Sequence, residues 1–172
     1  MEQAENRRLL FGDRLQVYLP GAYQAMDAEK AGMFYPYENR PQVILEDEET
    51  GRWCTFSLLK DQGLSRGQTG DAIESVSKAV LSLYPSGLIR KPQILRRKKG
   101  DCGWFAFRTA WKKGELYNVM YVFSVDGSMM LGTLGCGAED AEGIKGMMKI
   151  LKSLEVPVTE PSYVKARRMM FS

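Results

Sequence analysis

The stretch GWFAFRTAWKKGELYNVMYVFSVDGSMMLGTLGC, residues 103–136, decides the fold of this chain. It divides into three predicted strands separated by short polar turns: Gly103–Trp111, Leu116–Ser124 and Met129–Cys136. The second turn contains Asp126-Gly127, a pair favoured in two-residue hairpins because both positions need a positive φ. The stretch therefore predicts an antiparallel meander of three strands.

Both faces of this meander are predicted to be covered. In the first strand Phe105, Phe107 and Trp111 point to one face, which suggests that all three belong to a core. Trp104 and Ala106 point to the other face, and the second strand alternates in the same way. A sheet that is wet on one side would instead alternate apolar with polar residues.

Seven further elements follow from periodicity and turn residues. The predicted strands are Arg14–Leu19, Gln42–Glu46, Trp53–Leu59 and Gln93–Lys98. The predicted helices are Asp27–Tyr35, Asp71–Tyr84 and Ala138–Leu154. We expect Asp27 to cap the first helix, Asp71 and Glu74 to form a capping box on the second, and Lys60–Gly70 to be a loop. This order is typical of the α+β class, and it predicts an antiparallel sheet flanked by helices on both faces, a three-layer α/β/α sandwich.

The composition excludes several common catalytic mechanisms. None of the 172 residues is histidine, which excludes Ser-His and Cys-His nucleophile pairs and the commonest metal ligand. The three cysteines are an odd number without a pairing pattern, so we expect free thiols. Cys54 is predicted to be a core residue, and Cys102, beside Lys98 and Lys99, is the best candidate for a reactive thiol with a lowered pKa.

The net charge of +3 is unevenly distributed. Residues 1–86 carry 9 basic and 13 acidic residues, whereas residues 87–172 carry 15 and 8. Basic runs attract anionic partners, although most are only solvated surface. The predicted interaction surface combines this basic run with the end of the chain: Arg96, Arg97, Lys98, Lys99, Arg167, Arg168, Met169, Met170 and Phe171.

Three ligand classes are disfavoured. Trp104 and Trp111 could stack on bases, but the basic run is short and the pI of 8.7 is modest, so nucleic acid is disfavoured as a partner. The acidic run 46–49 has no metal-binding pattern and is explained by solvation. The glycines of 132–137 lack phosphate-loop spacing and are predicted to be turn glycines. No cofactor is predicted.

The chain is predicted to form one domain, residues 1–156, followed by a C-terminal extension, residues 157–172. No apolar stretch is long enough to span a bilayer and no export signal is visible, so we expect a cytoplasmic protein without membrane contact.

Three segments resemble the PsbP/Mog superfamily, which includes the DcrB-like bacterial proteins. They are Val17–Pro20, Tyr35–Pro41, and the Gly103-Trp104-Phe105, Tyr117-Asn118 and Val125-Asp126-Gly127 pieces of the meander. The resemblance covers about residues 12–156. It implies a non-enzymatic fold used for interaction, since members include a photosystem II extrinsic protein, a Ran-binding transport factor and bacterial effector chaperones.

The resulting functional prediction is a bacterial, non-catalytic protein-interaction or adaptor/chaperone-like module. Its partner is predicted to be another protein, with a homodimer as a second form of assembly. The alternatives are a small-molecule or nucleic-acid binding protein, and an enzyme with an unrecognised cysteine- or carboxylate-based site.

Overall fold

The computed structural model describes residues 5–84, 89–112 and 114–157. The predicted extension lies outside these residues apart from Pro157, and so does the part of the predicted interaction surface formed by Arg167, Arg168, Met169, Met170 and Phe171.

The described residues form strands and helices in the following order: β1 Glu5–Leu10, β2 Leu15–Pro20, β3 Gln24–Ala25, α1 Ala28–Phe34, β4 Val43–Asp47, β5 Arg52–Gly63, α2 Thr69–Leu83, β6 Gln93–Leu95, β7 Cys102–Trp111, β8 Gly114–Val125, β9 Ser128–Gly137 and α3 Ala141–Ser153. The α+β class is thereby confirmed.

The predicted meander is present as β7, β8 and β9, three adjacent strands of a seven-stranded antiparallel sheet. The strand order is β3-β4-β5-β9-β8-β7-β6, and β1 pairs separately with β2. In the β8–β9 turn Asp126 has φ 51° and Gly127 has φ 83°, the left-handed conformation that the sequence predicted for this pair. The β4–β5 hairpin joins the meander through β5 and β9, where Trp53 lies opposite Gly135.

Alternate residues of β7 belong to two different apolar clusters. Phe105 and Phe107 pack with Ile73 and Val80 of α2. Ala106 belongs to a cluster that also contains three residues of α3, namely Met147, Ile150 and Leu151. The alternation predicted for this strand is therefore observed, and each of the two long helices contributes to a different cluster.

Two predicted helix caps are wrong. The N-cap of α1 is Asp27, but its side chain accepts no capping hydrogen bond. Helix α2 begins at Thr69 with Gln68 as N-cap, so Asp71 lies inside the first turn and forms no capping box. In contrast, α3 begins only at Ala141, because the Asp140 carboxylate accepts a hydrogen bond from the backbone N–H of Gly143 at 3.0 Å.

The predicted and observed strand boundaries differ most where a strand pairs with a partner distant in the sequence or where the strand is very short. Strand β5 continues to Gly63, within the predicted loop, because its partner β9 extends it through a register shift between Leu59 and Gly63. Strand β6 ends at Leu95, so the basic run 96–99 forms its connection to β7. Strands β1 and β3 were not predicted. The two residues of β3 are too few to show a period, and the charged β1 is held by pairing with β2.

The predicted turn glycines Gly132 and Gly135 lie inside β9, so that interpretation is wrong. Tyr121 is opposite Gly132 and Trp53 is opposite Gly135 in the strand register. A Cβ atom at either glycine would collide with the ring of its partner. These glycines therefore make room for aromatic side chains that lie across the neighbouring strand.

Candidate interaction surfaces

Arg97, a member of the predicted basic surface, forms hydrogen bonds within the fold. Its Nη1 donates to the carbonyl of Lys152 at 2.6 Å, its Nη2 to that of Leu154 at 2.8 Å and its Nε to that of Gly100 at 3.2 Å. The guanidinium also lies 5.5 Å from the centroid of the Phe123 ring. Burial lowers the pKa of this group. Arg97 thus caps the C-terminal end of α3, as basic side chains commonly do.

The other three basic residues of the run differ in their pairing. Arg96 contacts Asp101 at 3.3 Å, and the Nζ atom of Lys99 lies 3.3 Å from a carboxylate oxygen of Glu155. Lys98 is exposed and forms no ion pair with any residue that the structure describes. Lys98 is therefore the member of the run whose charge is available to a ligand.

A cavity of about 380 Å³ lies between the basic run and the β5–α2 connection, and we call it the basic cavity. Its lining residues are Ser65, Arg66, Gly67, Thr69, Arg97, Lys98, Lys99, Gly100, Asp101 and Ser124. The sequence analysis did not connect Arg66 or Thr69 with the run at 96–99, because about 30 positions separate the two segments. They meet because the start of α2 packs beside β6 and β7, where Gly70 faces Ile94 and Gly103 faces the Thr69 methyl group.

A second surface carries exposed aromatic side chains at the opposite end of the sheet. Phe34, the last residue of α1, stacks on Trp111 with ring centroids 5.4 Å apart. Tyr84, the residue after α2, contacts Phe107 with ring centroids 6.1 Å apart. We define the aromatic patch by its exposed members: Met33, Phe34, Tyr37, Leu83, Tyr84 and Trp111. Trp111 is 43% exposed, so the prediction that it belongs to the core is wrong.

Basic residues lie on or beside the elements that carry the aromatic patch. Lys112 Nζ lies 5.7 Å from the centroid of the Trp111 ring. Arg40 Nη1 lies 3.6 Å from where a Cβ atom on Gly32 of α1 would be. The backbone N–H of Arg90 donates to the carbonyl of Ala106, which places this residue at the edge of β7. These three cations form no ion pair within the described residues.

The three cysteines are free and buried, as predicted for Cys54. For Cys102 the interpretation as a reactive thiol is wrong, because burial raises its pKa to about 12 despite the nearby Arg97. Burial also raises the pKa of Cys136, to about 11. Thiolate, rather than thiol, is the nucleophile, so these positions are not arranged for nucleophilic chemistry.

The acidic run at 46–49 is also less solvated than predicted. Glu46 and Asp47 are both buried. Glu46 pairs with Lys30 at 2.6 Å, and the Asp47 carboxylate accepts from the backbone N–H of Glu49 at 3.1 Å. Within the described residues no group of three acidic or cysteine side chains could hold a metal ion.

A smaller cavity of about 250 Å³ lies between β2 and α3. Arg52 forms a bidentate ion pair with Asp140 at its edge, with N···O distances of 2.7 and 2.9 Å. This pair lowers the pKa of Asp140. It also joins the start of β5 to the first turn of α3.

None of the helices in the described ranges is long and apolar enough to cross a membrane.

The sheet, its helices and its connections define a PsbP/Mog-like fold, which confirms the fold that the sequence resemblance implied. Cyanobacterial PsbP (CyanoP) from Synechocystis sp. PCC 6803 has a TM-score of 0.61 and 13% identity over 90% of this chain and 93% of that one. The Saccharomyces cerevisiae Ran-binding protein Mog1p has a TM-score of 0.57 and 8% identity over 90% and 96%.

A protein from Bacteroides thetaiotaomicron VPI-5482 also matches, with a TM-score of 0.57 and 7% identity over 92% of this chain and half of that one. No family model matches the sequence, and no curated protein does. At these identities the likeness concerns the fold alone.

Proposed function

We propose that this protein is a non-catalytic interaction module that binds a protein segment at the aromatic patch. The observation that carries the proposal is the exposure of Phe34, Tyr84 and Trp111 together at one end of the sheet. Aromatic side chains are enriched in protein interfaces, and large exposed apolar patches mark interaction sites. The Ran-binding description of Mog1p supports the same class of function.

We also infer a three-layer arrangement, in which α2 and α3 cover opposite faces of the sheet. The division of Phe107 and Ala106, neighbours on β7, between two apolar clusters supports it. In such an arrangement both faces of the sheet are used by the core. A partner then contacts the ends and edges of the sheet, and the aromatic patch lies at one of these ends.

The chemistry around the aromatic patch indicates the kind of segment that would bind there. Arg40, Arg90 and Lys112 are exposed cations on or beside the elements that carry these rings, and Lys112 lies over the Trp111 ring. Complementary charges across an interface guide association and discriminate between partners. The expected partner segment therefore presents apolar or aromatic side chains flanked by aspartate or glutamate. We place this interaction in the cytoplasm of a bacterial cell, in keeping with the sequence expectations.

The test is site-specific photo-crosslinking in the cells that make the protein. A photoreactive phenylalanine analogue is introduced at Tyr37 or Tyr84, and at Lys145 on the exposed side of α3 as the control. We expect a reproducible protein crosslink from the two patch positions only, to a segment rich in acidic and apolar residues. Trp111→Ser should abolish it while leaving the thermal unfolding midpoint nearly unchanged.

Three results would overturn the proposal. Equal crosslinking from Lys145 would show that the contact is non-specific. Crosslinks to a second copy of this chain would identify the patch as a homodimer interface instead. Crosslinks to nucleic acid that weaken steeply with salt would support the nucleic-acid alternative, since phosphate-led binding depends on salt in that way.

A further inference from the structure

We propose that the basic cavity is a binding site for a phosphate dianion, either free or as the end group of a phosphate monoester. This site lies at the other end of the sheet from the aromatic patch, and it does not depend on the function proposed above. Its floor is formed by the start of α2, and its walls are the β5–α2 connection and the basic run.

The first argument is charge. Arg66 and Lys98 line the cavity from two different connections, and neither forms an ion pair or hydrogen bond among the described residues. Asp101 is the acidic residue in the lining, and both of its carboxylate oxygens are occupied, by Arg96 Nη1 and by the backbone N–H of Arg97, at 3.3 Å each. Arg97 also lines the cavity, and its side chain donates only to neutral carbonyls. The cavity therefore retains a net positive charge, which a dianion would offset.

The second argument is an unpaired hydroxyl group. Thr69 lines the cavity with only 7% of its surface exposed. Its Cγ2 methyl is the atom that faces Gly103, while its hydroxyl forms no hydrogen bond with any described residue. Thr69 Oγ1 is not one of the fully buried unpaired atoms of the described residues, so this hydroxyl is accessible from the cavity that Thr69 lines. A ligand oxygen in the cavity would take the place of solvent as its hydrogen-bond partner.

The third argument concerns the start of α2, where Thr69 is the first helical residue. The first N–H groups of a helix have no partner within it. Here Gln68 does not cap them, because its Oε1 accepts instead from the backbone N–H of Ser65 at 2.8 Å. Thr69, which carries one of these N–H groups, lines the cavity together with Arg66 and Lys98, so donors from three residues border one volume. Tetrahedral oxyanions are bound by such donor sets.

The experiment is an NMR titration of the full-length ¹⁵N-labelled protein with inorganic phosphate at constant ionic strength. We expect saturable amide shifts confined to residues 65–71 and 97–101. Sulfate should bind at the same place and acetate should not saturate. Phosphoserine is titrated in parallel, because tighter binding than inorganic phosphate would identify a monoester as the ligand and weaker binding would identify the free ion.

Single variants test each argument. Arg66→Ala and Lys98→Ala should each weaken phosphate binding about tenfold, as expected for a lost charge-assisted hydrogen bond. Thr69→Val should weaken it severalfold, and Thr69→Ser should restore it. Lys145→Ala, an exposed lysine on α3, is the control and should leave the affinity unchanged.

The pH dependence provides an independent readout. The second ionisation of a phosphate monoester has a pKa of about 6, and the protein has no histidine. The charged groups facing the cavity are Arg66, Arg97, Lys98, Lys99 and Asp101. Binding should therefore weaken as pH falls from 7.5 to 5.5. Unsaturable shifts, shifts spread over the whole surface, or an equal loss in Lys145→Ala would overturn the proposal.

Discussion

At the scale of single residues, two glycines in the centre of the sheet determine where large rings can lie. Tyr121 is fully buried and Trp53 lies across β9, each over a glycine of that strand. Aromatic rings that cover a glycine on a neighbouring strand help to fix strand register. The register of the central β5–β9 pair is therefore tied to the absence of a side chain at Gly135.

We expect Gly135→Ala to destabilise the protein by about 1–3 kcal/mol, the usual cost of overpacking a core. The new methyl group would collide with the Trp53 ring. Gly137→Ala is the matched control on the same strand, because no atom lies within 4 Å of the added Cβ. Urea unfolding followed by circular dichroism measures both variants. Equal destabilisation of the two would contradict the role of the ring contact.

Sequence patterns predicted on which face of a strand a side chain lies, but they did not predict whether that side chain is buried. Alternation correctly paired Phe107 with Trp111 on one face of β7. It did not show that Trp111 is exposed, because four strand residues span about 13 Å and the helix that covers Phe107 does not cover this end. For Cys102 the neighbouring lysines in the sequence suggested an activated thiol. The side chain points into the core instead, and desolvation determines its pKa.

At the scale of elements, Arg97 links the β6–β7 connection to the end of α3. Its two terminal nitrogens donate to the carbonyls of Lys152 and Leu154, while its Nε donates within its own turn. The last carbonyls of a helix have no partner within it. The Arg97 side chain therefore supplies hydrogen-bond donors to these carbonyls from a distant part of the chain.

We expect Arg97→Ala to reduce the free energy of unfolding by about 2–3 kcal/mol, because it removes charge-assisted hydrogen bonds to two carbonyls, of which that of Leu154 is partly buried. Arg96→Ala should cost less than about 1 kcal/mol, since that exposed side chain only forms a surface ion pair with Asp101. Chemical denaturation of both variants tests this difference. If Arg96→Ala were the more damaging change, the assignment of Arg97 as the cap of α3 would be wrong.

The meander and the long helices could be predicted because their patterns are strong and local. The ends of the elements could not, since they depend on partners that are distant in the sequence. Strand β5 continues to Gly63 through β9, and the charged β1 exists only beside β2. The same limit applies to the candidate site. The basic run was visible in the sequence, but Arg66 and Thr69 enter the cavity only through the folding of the β5–α2 connection.

At the scale of the whole molecule, the last described residues before the predicted extension are attached to the core. Val156 packs against the larger apolar cluster. Glu155 and Gln16 exchange two backbone hydrogen bonds, of 2.7 and 3.0 Å, which joins the end of α3 to β2. These contacts tie the last described residues to the core, and the boundary near residue 157 stays a prediction.

We expect removal of residues 158–172 to leave the thermal unfolding midpoint nearly unchanged. The shift should be smaller than the roughly 2–4 °C that 1 kcal/mol produces in a chain of this size. If Met169, Met170 and Phe171 contact a partner, as the sequence analysis predicts, the same truncation should reduce the photo-crosslinking yield. Scanning calorimetry provides the first measurement, and a large fall in the midpoint would show that this segment belongs to the core.

The pairing of β5 with β9 also has a consequence for how the chain folds during synthesis. The three meander strands are neighbours in the sequence, whereas Trp53 must meet Gly135. Contacts between distant residues form slowly because a long loop must close first. On the ribosome, the edge of β5 in the β4–β5 hairpin therefore stays unpaired until β9 has been translated. Phe56 stays exposed for the same time. During that interval the nascent chain is most vulnerable to aggregation.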